Sequence, residues 1–420
     1  MIVKIGQFAG ENAVSMDTVR YYMELGLLVP HKNGGHYEFD GNCTNDLQEI
    51  FRLKDLGFSL QEIKTFFYYK QFAKIENNVS SKYYRLFFQN KLQDTRKTID
   101  GLNRKLKMLE SQLAQFDAQD GHISRKSGID LDSLKTLCCP RCEGELTLQS
   151  GRIEDNQVIE GCLSCSCKEK YEIKDGILVV EDIPVNIYDN SGKSAYADVE
   201  YLFDYINSVD PIFLNNIYKS LNWHGYNLAQ SDFTHKTVLD LGVGLGFFLR
   251  SIYDKLDENT VYIVVDHDIN ALNLVKSILE ASGNKKKILY VCADFLSIPI
   301  KKQSIDTLID YVGTSNYGFN HKDFLLYNIT KYLKDSAALY GTYIVFDKFG
   351  RRNALEPEYR NNFILDEVKK RLDGLSFSLL LDTCSEKYFC KGTTEYETYQ
   401  QAGDVVASYL CIRKFSKSRI

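Results

Sequence analysis

The chain has 420 residues, a formal net charge of −5 and 25% charged residues. That length suits two or three domains of ~100–200 residues each. So even a charge balance argues against broad, nonspecific nucleic-acid binding but leaves room for one local DNA site. With no apolar run of about 18 residues and no secretory pattern, a cytoplasmic protein with no membrane partner is expected.

In chain order, Ile5–Ala9 opens a short helical pattern. Ser15 is a good N-cap for a second short helix from Met16 to Leu25, which Gly26 stops. Two short helices across a tight turn make helix-turn-helix geometry, with the second helix available to a major groove. Asn33–Asp40, with Gly34-Gly35 and then alternating aromatics, reads as a hairpin. Asp46–Leu56 is an amphipathic helix, and Ser59 with Glu62 forms a capping box for the next.

This order carries T-V-R-Y-Y-x-x-x-G-L-L from Thr18, G-H-Y-x-F from Gly35 and L-K-x-L-G-F-S-L-x-E-I from Leu53. It resembles the MerR family of transcription regulators over roughly the first 80 residues. The resemblance implies an all-α winged helix-turn-helix. Ser15, Thr18, Arg20 and Tyr21 would face promoter DNA, with His36 and Tyr37 on the wing. Tyr37 stands where the family carries arginine, which takes one phosphate contact from the wing.

From Leu92 onward, Ile99, Leu102, Leu106, Leu109, Leu113 and Phe116 recur in steps of three and four, a heptad seam. An amphipathic helix packed on its own domain would show the same spacing. The family resemblance implies instead an antiparallel coiled-coil dimer helix that pairs two heads on a two-fold site. Asp117–Ile129 turns polar and reads as a linker.

Six of the 11 cysteines fall between Cys138 and Cys167. Cys139-Pro-Arg-Cys142 is one knuckle, and Cys162-Leu-Ser-Cys165-Ser-Cys167 supplies a second. Two knuckles at this separation predict a small β zinc ribbon with four thiolate ligands, structural rather than catalytic. A redox pair is the competing reading. Cys139 and Cys142 are joined either by Cys162 and Cys165, in regular spacing, or by Cys165 and Cys167. The second set leaves Tyr171–Ile177 better placed as a ribbon strand. Cys138 reads as a bystander.

Tyr196, Tyr201, Phe203, Tyr205, Phe213, Tyr218 and Trp223 precede a strand at Lys236–Leu241, and some of them are candidates to roof a pocket. That strand runs into Gly242, Gly244 and Gly246, whose freedom suits a sharp turn close to a ligand. Asp240 puts a carboxylate at the strand's C-terminal end, beside the crevice where α/β folds bind ligands, and with the three glycines is a candidate cofactor contact. Val261–Asp266, Ile288–Phe295, Ser304–Asp310 and Ala338–Phe346 follow as strands, with Phe377–Leu381 and Val405–Ile412 as a terminal pair. An acid before G-x-G-x-G, with acids at two more strand ends, resembles class I S-adenosylmethionine (SAM) dependent methyltransferases, an α/β doubly wound, Rossmann-like fold. The resemblance implies that Asp266 binds the ribose hydroxyls and Asp294 the adenine amino group, with Phe295 flanking the ring. A ribbon ahead of such a domain is also the layout of the large-subunit ribosomal-RNA guanine-N1 methyltransferases. Asp310–Tyr317 lacks the N-P-P-Y motif, and no Pro-Cys nucleophile is present, so DNA modification is not expected. Tyr311, Asn316, Tyr317 and His321 are candidates to line an acceptor site, and no catalytic residue is assigned.

The expected organisation is multidomain: head 1–80, dimer helix 81–120, linker 121–135, zinc ribbon 136–182 and methyltransferase-like domain 183–420. The expected function is a dimeric promoter-binding regulator, acting with RNA polymerase, whose SAM-binding half senses an effector. The alternative is a small-molecule or RNA methyltransferase whose head serves autoregulation or dimerisation.

Overall fold

The computed structural model describes residues 2–72, 78–119, 126–180, 199–229, 231–282, 286–392 and 399–416. The chain forms two compact units, Met1–Gly121 and His122–Ile420. Tyr196, the ring of Tyr201 and residues 121–125 of the expected linker lie outside the described residues.

The first unit runs β1 (Val3–Lys4), α1 (Ile5–Glu11), α2 (Met16–Glu24), β2 (His31–Asn33), β3 (His36–Phe39), α3 (Gly41–Asp55), α4 (Leu60–Phe72) and α5 (Asn78–Gln119). It is not all helical: β1, β3 and β2 form a small antiparallel sheet. The Ser15 hydroxyl accepts from the Thr18 amide at 3.0 Å and so caps α2. Ser59 and Glu62 exchange hydrogen bonds at the start of α4, as a capping box requires. Phe8 stacks on Phe39 at 4.5 Å, joining α1 to the wing, and Val19, Leu28, Leu47, Ile50 and Ile63 complete the core. Helix α5 begins on this core, with Phe87 stacked on Phe58 and Lys91 paired with Glu62. It then continues as one helix through Gln119, past Asp117, where the sequence turns polar.

The second unit begins with β4 (Ile129–Asp130), β5 (Thr147–Glu154), β6 (Gln157–Ser164), β7 (Lys170–Lys174) and β8 (Ile177–Val179). Next come α6 (Val199–Ser208), α7 (Pro211–Leu228), β9 (Thr237–Leu241), α8 (Phe247–Ile252), β10 (Val261–Asp266), α9 (Ile269–Ala281), β11 (Lys287–Cys292) and β12 (Ile305–Tyr311). The chain ends with α10 (Gly313–Gly318), α11 (Leu326–Ile329), β13 (Leu333–Lys348), α12 (Leu365–Gly374), β14 (Phe377–Cys384), β15 (Tyr388–Phe389) and β16 (Val405–Phe415). Strands β11, β10, β9, β12 and β13 lie side by side in parallel. Antiparallel β16 and β14 close that side, the terminal pair that the methyltransferase resemblance implies. The central strands are apolar on both faces because both are covered. Leu239, Leu241, Val265 and Leu308 pack with Val368 and Leu372 of α12 on one face. Val238, Val264 and Ile309 pack with Leu228, Leu249 and Val275 of α7, α8 and α9 on the other.

Beyond β11 the sheet does not stop. Strand β8 pairs in parallel with β11, Ile177 opposite Tyr290 and Val179 opposite Cys292, and β7, β6 and β4 continue outward. Among the described residues, the ribbon and the α/β strands thus form one sheet. Cys139, Cys165, Tyr171 and Ile173 belong to the same core as Leu241 and Val291. Residues 126–135, the described part of the expected linker, are folded onto this unit: Ile129 is fully buried and pairs with Val158. Strand β11 ends at Cys292, so Asp294 and Phe295 lie in the loop after it rather than within the strand.

Candidate functional site

The carboxyl ends of β9 and β10 and the segment after β11 gather most of the residues assigned to a cofactor. Gly242, Gly244 and Gly246 have φ of 72°, 47° and 70°, the left-handed region that favours glycine. Asp266 joins the loop to the next strand. One of its oxygens accepts from the Gly244 amide and the other from the Asp268 amide, both at 3.0 Å. Burial pushes its carboxyl up from the usual range. A Cβ on Gly242 would lie 3.3 Å from the ring tip of Phe295, so that ring borders the glycine turn. Asp294 is partly exposed and accepts from the Leu296 amide at 2.7 Å.

Asp240 is placed differently from the crevice position expected of it. It is 2% exposed and alternates with Leu239 and Leu241, so it faces the side packed by α7–α9. The Tyr262 hydroxyl donates to it at 2.7 Å, and burial pushes the carboxyl up to about 7. Tyr311 also turns to this side, hydrogen-bonded to Ser220 at 2.6 Å, and so leaves the proposed acceptor region. Asn316 and His321 are exposed. The Tyr317 ring stacks on His321 at 3.8 Å, and burial and then the carboxylates of Asp323 and Asp294 push its hydroxyl up.

Two features here carry no local sequence signal. Val312, just past β12, has φ 65°, a strained conformation for a β-branched residue. At its neighbour Gly313, a Cβ would meet the Leu241 carbonyl at 2.4 Å, so the chain crosses close against the end of β9. Above these strand ends, Tyr205 and Phe213 of α6 and α7 pack with Leu245, Ile344 and Phe346. Of the aromatic run, these two rings are buried by helix packing, whereas Phe203 and Tyr218 are exposed.

The four-cysteine cluster is compact. The sulfurs of Cys139, Cys142, Cys165 and Cys167 all lie within 4.8 Å of one another. Cys139 and Cys167 are 3.7 Å apart and Cys142 and Cys165 3.2 Å apart. A tetrahedron with Zn–S of ~2.3 Å needs sulfurs about 3.8 Å apart, so the set fits zinc. A Cβ at Gly144 would be 3.0 Å from the Cys165 sulfur, which leaves little room for any other residue there. Cys162 lies on β6 opposite Glu172, outside the cluster. Cys138 is buried, and its amide donates to the Pro299 carbonyl at 3.0 Å.

In the first unit Ser15, Arg20, Tyr21, His36 and Tyr37 are exposed and Thr18 is half-buried. Arg20 is paired with Asp17 at 2.9 Å. Lys32, which no motif singles out, lies opposite Tyr37 on the wing with its ammonium 5.9 Å from the ring centre.

Residues 3–70 match the family described as MerR HTH family regulatory protein. The chain is 38% identical over 63 residues to nodulation protein NolA of a Bradyrhizobium strain, covering 14% of this chain and 27% of NolA. It is 25% identical over 119 residues to the HTH-type transcriptional regulator YfmP of Bacillus subtilis, covering 28% of this chain and 84% of YfmP. The chain thus spans about a quarter of the length of NolA. A solved structure of a putative methyltransferase from Bacillus halodurans is similar at 12% identity with a TM-score of 0.36, covering 46% of this chain and 98% of its own. Residues 3–70 of the first unit are a MerR-type helix-turn-helix domain, joined in one chain to a doubly wound α/β unit that has a four-cysteine cluster.

Proposed function

We propose that this protein is a cytoplasmic, homodimeric transcription regulator that binds promoter DNA through its first unit and SAM through its second. The observation that carries the SAM half is the Asp266–Gly244 junction, a carboxylate bonded to a glycine turn at the carboxyl ends of two parallel strands. Ligands of doubly wound sheets bind at this place. Each Asp266 oxygen accepts one backbone amide and keeps a lone pair for a ribose hydroxyl, Phe295 offers a face to a purine, and the glycine backbone allows close approach. Bound SAM would supply an electrophilic methyl group. For the residues themselves the role is binding and orientation. The Asp266 carboxylate fixes the ribose, and the rings over β13 keep water away from that end of the crevice. Zinc in the four-cysteine centre is structural.

In this reading SAM, or a small molecule bound beside it, is the effector. RNA polymerase at the same promoter is the partner that reads the change. Coupling of ~1–3 kcal/mol between sites is usual and must be reciprocal. Calorimetry with SAM on the full chain, then promoter binding and in vitro transcription with and without it, tests this. SAM should bind, Asp266→Ala should abolish that binding while promoter affinity without SAM stays unchanged, and SAM should alter transcript yield. The absence of any SAM binding to zinc-loaded protein would defeat it.

A second reading, a small-molecule methyltransferase with a regulatory head, is favoured by the apolar roof of Tyr205, Phe213, Ile344 and Phe346. Such a cover suits a compact acceptor better than folded RNA. Methyl transfer to some acceptor, with no SAM effect on promoter affinity or transcript yield, would favour it over the first.

A further inference from the structure

We infer that the four-cysteine centre controls the cofactor crevice through a strap of backbone hydrogen bonds. With its metal bound, it holds the segment Asp294–Lys301 in the binding arrangement, and metal loss releases that segment. The inference rests on the SAM reading above and adds a means of regulating that site.

The strap is continuous. Thr136, Leu137 and Cys138 run antiparallel to Pro299, Ile300 and Lys301. The Cys138 amide donates to the Pro299 carbonyl at 3.0 Å, and the Lys301 amide donates to the Thr136 carbonyl at 2.9 Å. Leu137 and Ile300 form a bridge between them. The next residue along, Cys139, is a fully buried member of the metal centre. On the other flank, the Val180 amide donates to the Cys292 carbonyl at 2.9 Å, extending the β8–β11 pairing to the end of β11. The segment between these two clamps contains Asp294 and Phe295.

This segment has little internal structure to hold it. Its own ties are the Leu296 amide to the Asp294 carboxylate, the Ser297 amide to the Asp294 carbonyl and the Ile300 amide to the Ile298 carbonyl. From outside it, the Ala293 amide donates to the Asp266 carbonyl at its start, the Ser304 hydroxyl to the Lys301 carbonyl and the Tyr332 hydroxyl to the Ile298 carbonyl. Ile298 and Ile300 are buried in the same core as Leu137, Cys139, Leu146 and Cys165. Metal binding free energy in such ribbons is folding free energy, because the ligands are brought together only in the folded state. Without metal, four sulfurs within 4.8 Å of one another have nothing to bind them. The chain at Cys139 relaxes first, and the Cys138–Pro299 bond is one residue away.

The test compares zinc-loaded full-length protein with zinc-stripped protein and with Cys167→Ser, which replaces an exposed ligand. S-adenosylhomocysteine is the calorimetric probe, and amide hydrogen exchange is followed over residues 294–301. Cys162→Ser is the control that should keep its zinc. Metal loss should weaken the probe about tenfold or more and strip protection from 294–301, while β9 and β12 stay protected. If stripping also exposes β9 and β12, Cys138→Pro decides. It deletes the amide of the strap but leaves every ligand, and it should retain zinc, lose probe affinity and expose 294–301. Equal probe affinity in metal-loaded and metal-free protein would overturn the inference but spare the SAM reading. Should neither form bind the probe, the SAM reading fails and exchange alone decides. Unchanged protection over 294–301 without metal would then refute the strap.

Discussion

Burial pushes the Asp240 carboxyl up to about 7 and the His224 imidazole down to about 3, within one packed face of the second unit. A carboxyl with a raised folded value holds its proton more tightly when folded. Its stabilisation is therefore full below pH ~4 and lost as pH rises through about 7. His224 has the opposite sign: its contribution is full above pH ~6.5 and lost as pH falls. Over the window between, the two slopes oppose each other at about 1.4 kcal/mol per pH unit each. Asp310, pushed up to about 6, shares the sign of Asp240. Asp240→Asn removes one of these slopes, so the variant's melting temperature relative to wild type should climb from about pH 4.5 to about 7.5. A difference that stays constant across that range would show that Asp240 does not carry a raised value in the fold. On the wing, Lys32 places a cation beside Tyr37. Lys32→Ala should weaken promoter binding uniformly across sequences and lower the salt slope by about one, whereas Arg20→Ala should cost ~1–3 kcal/mol if it reads a base edge. An unchanged salt slope in Lys32→Ala would remove the phosphate role.

Helix α5 displays the stripe that its spacing foretells. Ile99, Leu102, Leu106, Leu109, Leu113 and Phe116 are each 50–65% exposed in one copy of the chain. A fully buried leucine contributes ~1.5–3 kcal/mol, so Leu106→Lys with Leu109→Lys should weaken a dimer by several kcal/mol. Sedimentation should show wild type as a dimer at micromolar concentration and the double variant as a monomer, and a monomeric wild type would end the dimer reading. Stripes, caps and glycine turns are legible in sequence because each is set within a few residues. Ser15 caps α2 and Glu62 reaches back to Ser59 for that reason. The strands were legible too, since buried parallel strands are near-continuous apolar runs. Which face a strand residue takes was less so. Asp240 and Tyr311 point to the helix-covered side because of pairings with Tyr262 and Ser220, and those partners come from distant elements. The β8–β11 pairing was not legible, as a parallel join leaves no turn signal between its strands.

As a whole, the molecule divides at one place, between units that end and begin near Gly121. Calorimetry should therefore resolve two unfolding transitions, and a zinc chelator should lower the second unit's and spare the head's. A single transition that chelation shifts as one block would contradict that division. The second unit keeps its ribbon within the sheet, and this bears on how the chain is made. Strand β8 is only three residues long and leaves the ribosome long before β11, so its parallel partner reaches it late. In the nascent chain the knuckles can take metal early, because their cysteines are close in sequence. The bare edge of β8 then waits as a template for wrong partners until β11 is synthesised. Without zinc the knuckles do not close either, so scarce zinc during translation should leave β6 and β7 open as well as β8 and lower the yield of correctly folded chains.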